Sequence, residues 1–393
     1  MEYIILTTIM SDINITYIIL KTLLFIIFLI SGYLLSKAKS NLHYWKIAIL
    51  PIVTFAIISG LRFGREIDYN NYFFVYKDKY ANDELEFFFR SLVNIFNYFE
   101  IPYYVFILFC STVLITSFLY FLTNFRKAIL FILPMFLGIM GIENLIRWYL
   151  AFSFILIAVK LLMDSRYKTA LFFAIIASLT HHGIIICLLV IILFYLLSNK
   201  IIFNHNVAVI LFAITLFLGT VDQLIAISSV FNNVYVGDTS KTAVYVENAS
   251  DIAAGNMITG IYKTGPLTTI LIYISYVFPI YFGGKYLLKK KLQYKESVWI
   301  YNLATFSIII NPIFALVDVF NRISAALLVF SITFVGISTL IAYKRRYKNK
   351  IIFFLLLLSF LCSAYLILRG PFYIVKDSQM LFIWDANARN YLP

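Results

Sequence analysis

Charge is what this sequence has least of. Only 13% of its 393 residues are Asp, Glu, Lys or Arg, and 62% are hydrophobic. A soluble globular protein carries about 25% charged and about 45–50% apolar residues. With a mean hydropathy of +0.90, that shortage excludes water as the solvent for most of the chain. No long polar stretch interrupts the apolar segments, so a length that would allow two or three soluble domains reads instead as one membrane domain over residues 1–393. Cysteine is also scarce. Cys110, Cys187 and Cys362 all lie inside apolar runs, whereas a disulfide framework needs paired cysteines in watery loops. No Cys-x-x-Cys or His-Glu-x-x-His spacing occurs, so no structural zinc is expected. Phosphate-binding loops, dinucleotide fingerprints and nucleophile elbows are missing as well, and no cofactor is expected.

What is there is a succession of apolar runs. A membrane-crossing helix needs about 20 mainly apolar residues. Spans are expected near 14–35, 47–61, 101–122, 128–142, 145–163, 169–180, 184–197, 206–220, 264–284, 298–317, 323–342 and 351–368. The first is too long for the apolar core of a signal peptide and lacks a small-residue cleavage site, so it is read as a retained span. The expected fold is therefore an all-α integral membrane protein, a polytopic bundle of about 12 transmembrane helices. Residues 85–99 are amphipathic and are expected to lie along the interface at the outer face.

The formal net charge is +13, which fits either nucleic-acid binding or membrane topology. Its distribution decides for topology. Loops 36–46, 123–127, 160–168, 198–205, 285–296 and 344–350 hold Lys and Arg opposed only by Asp164 and Glu296. Basic loops mark the cytoplasmic side. The alternation then places both termini outside, along with three polar segments: 62–100, a large loop at 221–263, and the tail from Arg369. Residues 169–197 can be drawn as one long helix or two short ones. One helix would put Lys289, Lys290 and Lys291 outside, against the charge rule, so a break is expected at His181-His182.

Ionisable groups at membrane depth are costly and are functional candidates by default. Arg62 and Arg65 leave the second span together, followed by Asp68, Tyr69 and Tyr72. Arginine binds phosphate through a two-pronged, permanently charged fork, and tyrosine offers a hydroxyl and a face on which sugars stack. The plain alternative is an interfacial belt of Arg and Tyr. Glu86 either presents a carboxylate at the surface or caps the amphipathic helix. Arg147 either pairs with Glu143 one turn away or holds a diphosphate. His181 is a base candidate because neutral imidazole takes up a proton near physiological pH; the alternative is a polar helix break. Arg322 is a further anion contact or an ordinary charged turn.

Taken in order, these residues resemble the EpsG family, which is grouped with Wzy-type O-antigen and exopolysaccharide polymerases. The likeness rests on Arg62, Asp68-Tyr69 and Tyr72, Glu86 before Phe87-Phe88-Phe89, Ile146-Arg147, His181-His182 and Arg322. Glu66 stands where that family usually has Gly, Trp148 replaces a Gln, and Gly183 replaces a Ser or Thr. The resemblance implies block-wise joining of oligosaccharides carried on undecaprenyl diphosphate, at the periplasmic face of a bacterial inner membrane. It implies Arg62, Tyr69, Tyr72, Glu86, Arg147 and Arg322 as substrate contacts, to which the residue reading adds Arg65, with His181 or Asp68 as the base. It also implies a lipid-bilayer setting, no metal, no nucleic acid, and a polysaccharide chain-length regulator as partner. A flippase for the same lipid-linked sugars and a membrane acyltransferase are the competing readings.

Overall fold

The computed structural model describes residues 2–63, 67–77, 85–139, 145–220, 266–285, 295–314, 318–344, 346, 349–369 and 381–383. In chain order the regular elements are α1 (Glu2–Ser36), α2 (Asn41–Gly60), β1 (Arg62–Phe63), α3 (Ile67–Lys77), α4 (Phe87–Tyr98), α5 (Tyr103–Leu122), α6 (Ile129–Ile132), α7 (Ile146–Met163), α8 (Tyr167–Thr180), α9 (Ile185–Leu196), α10 (His205–Thr220), α11 (Pro266–Phe278), α12 (Lys295–Phe314), α13 (Asp318–Lys344), α14 (Lys350–Arg369) and β2 (Leu381–Phe382).

Among the described residues, seven helices are long and apolar enough to cross a membrane, and four shorter apolar helices accompany them. The chain is a multi-pass helical membrane protein. Large side chains such as Leu171, Ile175, Leu189 and Leu193 point outward. In water they would be a liability; against lipid they meet their own kind.

The count of twelve spans differs from this picture chiefly after α5. The span expected over 128–142 is not one continuous helix in its described part. A 3-10 turn at Thr123–Ala128 leads into the four residues of α6, and a second 3-10 turn runs Pro134–Gly138. Pro134 cannot donate to the helical ladder, so the backbone changes hand-hold there. Non-helical backbone survives at membrane depth only when buried in protein, and Ile129, Ile132, Leu133 and Phe136 are all buried in the main core. Phe136 stacks on Phe118 at 4.4 Å.

Residues 169–197 form two helices. His181 is extended (φ −157°, ψ 115°), a 3-10 turn follows at His182–Ile184, and α9 begins at Ile185. The Tyr195 hydroxyl at the end of α9 meets the Tyr167 hydroxyl at the start of α8 at 3.4 Å. The two helices therefore run antiparallel, with His181 at the tip of a hairpin.

The basic loops at 36–46, 123–127, 160–168 and 198–205 lie toward the other end of the bundle. Arg126 donates to the Asn41 side chain, and Asn124 reaches the Met163 sulfur at 3.2 Å. Asn302 donates to the Lys200 carbonyl at 2.9 Å and accepts from the Ile202 amide at 3.1 Å. Tyr195 packs on Trp299 at 5.0 Å, edge to face.

At the opposite end the chain closes on itself. β1 pairs antiparallel with β2, Arg62 opposite Phe382 and Phe63 opposite Leu381, and the Ile383 amide donates to the Leu61 carbonyl at 3.2 Å. Just below, Gly60 lets α2 touch α5: a Cβ there would stand 2.7 Å from the Leu108 Cα. The helix expected over 85–99 is α4. It buries Phe89 and Val93 and exposes Phe87, Ile95 and Tyr98.

Candidate functional site

α4 begins just after Glu86, yet this carboxylate makes no capping hydrogen bond to its own helix. Its oxygens face other segments. Oε2 accepts from Arg147 Nη1 at 2.5 Å, and Oε1 accepts from the His182 backbone N–H at 3.3 Å. Glu143, the helical-turn partner expected for Arg147, lies outside the described residues. The partner found is Glu86, 61 residues upstream. A charge-assisted pair of this kind is among the stronger hydrogen bonds, and here it joins the start of α4 to the start of α7. The Arg147 guanidinium also lies 5.7 Å from the centre of the Tyr72 ring, a cation–π approach.

His181 is held from two sides. Its Nδ1 accepts from the Gly183 N–H at 3.0 Å, and its ring meets Trp148 edge to face at 5.1 Å. Glu86 Oε1 lies 3.8 Å from the same nitrogen. That approach is no ion pair while Nδ1 spends its lone pair on an amide hydrogen. Burial, seconded by the Arg147 charge, pulls the imidazole down to about 4; Glu86 opposes this, and Arg322 and His182 add to it. His181 is thus a neutral ring at neutral pH. Neighbouring His182 is exposed and places its Nδ1 3.3 Å from the Ser178 carbonyl.

Tyr72, on α3, rests on Phe89 at 5.5 Å. Burial lifts its hydroxyl to about 12, and the charges of Arg147, Asp68, Glu86 and Arg322 all act on it. Asp68, Tyr72, Glu86, Arg147, His181 and Arg322 consequently form one electrostatic neighbourhood, drawn from five separate stretches of the chain. Asp68 and Arg322 are both half-buried within it.

Arg62 and Tyr69 stand apart. Arg62 is 2% exposed, donates to the Ser59 carbonyl, and lines a small cavity with Ser59, Ser111, Cys110 and Tyr149. Tyr69 is 3% exposed and packs on Tyr103 at 5.1 Å, with Arg62 6.0 Å from its ring. Burial raises the Tyr69 hydroxyl to about 12, and Arg62 opposes the shift. These two residues brace the segment that carries Asp68 and Tyr72. Arg65 lies outside the described residues.

Two neighbours of His181, Trp148 and Gly183, escape a reading based on charge. Their signal in the sequence is that both depart from the pattern of the resembling family. In space they touch: a Cβ on Gly183 would stand 3.1 Å from Trp148 Cζ3 and 3.1 Å from His181 Cε1. A wide indole and a missing side chain accommodate each other around the imidazole.

Among the described residues, no three His, Cys, Asp or Glu side chains gather in a way that would hold a metal ion. The cluster offers guanidinium groups, a neutral imidazole, a phenol and carboxylates, which suits a bulky anion and a proton transfer.

No curated protein and no solved structure matches the chain. The EpsG family model matches residues 44–377, which takes in every described member of the cluster, and the chain belongs to the EpsG family.

Proposed function

We propose that this protein is a polysaccharide polymerase. In this reading it is a glycosyltransferase that joins undecaprenyl-diphosphate-linked oligosaccharide repeats at the periplasmic face of a bacterial inner membrane, making O-antigen, capsule or exopolysaccharide. One observation supports it above the rest. Arg147, Arg322, Glu86, Asp68, Tyr72 and His181 meet at the end of the bundle away from the basic loops.

The chemistry such a cluster suits is displacement at an anomeric carbon. The acceptor hydroxyl oxygen bonds to that carbon, the bond to the diphosphate breaks, and the electron pair departs on the diphosphate oxygen. The hydroxyl proton passes to a base. Fixed cations aimed at the departing oxygen stabilise charge where it develops. In this reading Arg147 and Arg322 take that role. In this reading Arg62, buried beside Tyr69, holds the Asp68–Tyr72 segment in position. The Tyr72 hydroxyl stays protonated and can donate to a sugar oxygen. His181 and Asp68 are the candidates for the base. A chain-length regulator is the expected protein partner.

The test is the banding of surface polysaccharide from a deletion strain. Loss of a polymerase leaves single repeats. A ladder that vanishes altogether would reassign the protein as a flippase, and unaltered chain length would reassign it as a modifying acyltransferase.

A further inference from the structure

We infer that His181 serves the site as a hydrogen-bond donor, its Nε2–H bonding to the departing diphosphate oxygen while staying on the ring, and that the acceptor's proton goes to Asp68. This rests on the polymerase reading and sharpens it, since it divides the two base candidates between two roles.

The argument begins with the Gly183 amide. A backbone N–H cannot change its role: it always donates. At 3.0 Å from His181 Nδ1, it requires a lone pair on that nitrogen. A neutral imidazole carries one hydrogen, and with Nδ1 accepting, the hydrogen belongs to Nε2. A ring in that tautomer has no basic nitrogen left to offer a hydroxyl. Nε2 makes no hydrogen bond among the described residues, and the side chain keeps 17% of its surface exposed. A donor on a partly exposed ring, within the fields of Arg147 and Arg322, fits an anion.

The same surroundings discourage a base. Taking up a proton would make the ring a cation next to Arg147, Arg322 and His182. Among the described residues Glu86 is the carboxylate that acts on the ring, and its oxygens accept from Arg147 and from the His182 amide. Asp68, the other base candidate, acts on the Tyr72 hydroxyl in the same neighbourhood.

Two measurements test the assignment. The first reads the 15N shifts of histidine-labelled protein at pH 7, with the His181 signals identified by difference from H181Q. A hydrogen on Nε2 is expected, and a hydrogen on Nδ1 would overturn the inference. The second measures polymerisation by purified variants of equal stability in detergent. The Gln amide nitrogen reaches the place of Nε2 and still donates. H181Q is therefore expected to keep activity within about tenfold of the parent while H181A loses about 100-fold, the usual cost of one donor to a developing anion. H181Q as inactive as H181A would restore the imidazole as base and defeat the inference. The tautomer is read without substrate, so it stands or falls independently of whether the deletion strain accumulates single repeats.

Discussion

Glu86 ties Arg147 and the His182 amide together, one to each carboxylate oxygen. Three places in the chain, the starts of α4 and α7 and the tip of the α8–α9 hairpin, are thereby locked into one geometry. Replacing Glu86 with Ala frees Arg147 and leaves the hairpin tip without its anchor. Such a variant is expected to insert stably but to lose polymerisation by about 100-fold or more, because a small misplacement of positioning groups is costly. Arg147→Ala should do the same. In a double-mutant cycle the pair is expected to couple by about 1–3 kcal/mol, as contacting residues in one network do. Strict additivity of the two single variants would show that the contact does no work.

The Trp148–Gly183 contact predicts a second coupling. Gly183→Ser puts a Cβ 3.1 Å from both Trp148 and the His181 ring, tight enough to push the imidazole off its amide donor. Activity of G183S should fall, and adding Trp148→Gln should recover part of the loss by opening the space the indole fills. A double variant worse than G183S alone would mean that the two positions do not share that space.

The pH dependence of stability follows from His181. At pH 7 the ring is neutral in both the folded and the unfolded chain. As pH drops below about 6.5, the unfolded chain binds a proton that the folded site refuses until about 4. The unfolded state then binds more protons, so stability falls with falling pH across that window. Denaturation midpoints of the purified protein should decline between pH 6.5 and 4, and H181Q should flatten that decline. An identical slope in both proteins would mean that His181 is not the group responsible.

Arginine in place of a divalent ion makes a separate forecast: purified protein should polymerise in excess EDTA. Activity lost to the chelator and restored by a divalent cation would require a metal at the diphosphate.

Pairing of β2 with β1 anchors the backbone at Arg62. Ending the chain after Arg369 removes that strand. The truncated protein is expected to keep its helices and to lose polymerising activity several-fold through loosening of the α3 segment. Undiminished turnover would show that α3 is held by its aromatic contacts alone.

The membrane class, most spans and the break at His181 were legible because apolar runs and charge alternation are local properties. The amphipathic α4 was legible for the same reason. Residues 123–138 were not, since an apolar run reports burial without saying whether the backbone is α or 3-10. The Glu86–Arg147 pair was invisible because its partners are 61 residues apart, while Glu143 offered a nearer match by spacing. Arg62 and Tyr69 read from the sequence as substrate contacts or interfacial anchors, yet both side chains are buried, Arg62 on the Ser59 carbonyl and Tyr69 against Tyr103. Tertiary packing chose which face of that segment met the protein.

α8 and α9 have 14 and 12 residues, so they rise only about 21 and 18 Å through a hydrocarbon layer about 30 Å thick. Their outer flanks carry Phe172, Ile186 and Leu196 toward lipid. Acyl chains packed beside so short a pair would have to shorten to match it, thinning the bilayer there. Under the polymerase reading proposed above, a polyprenyl carrier would find its charged head drawn down into such a dip, toward the level of the His181 tip, without having to leave the leaflet.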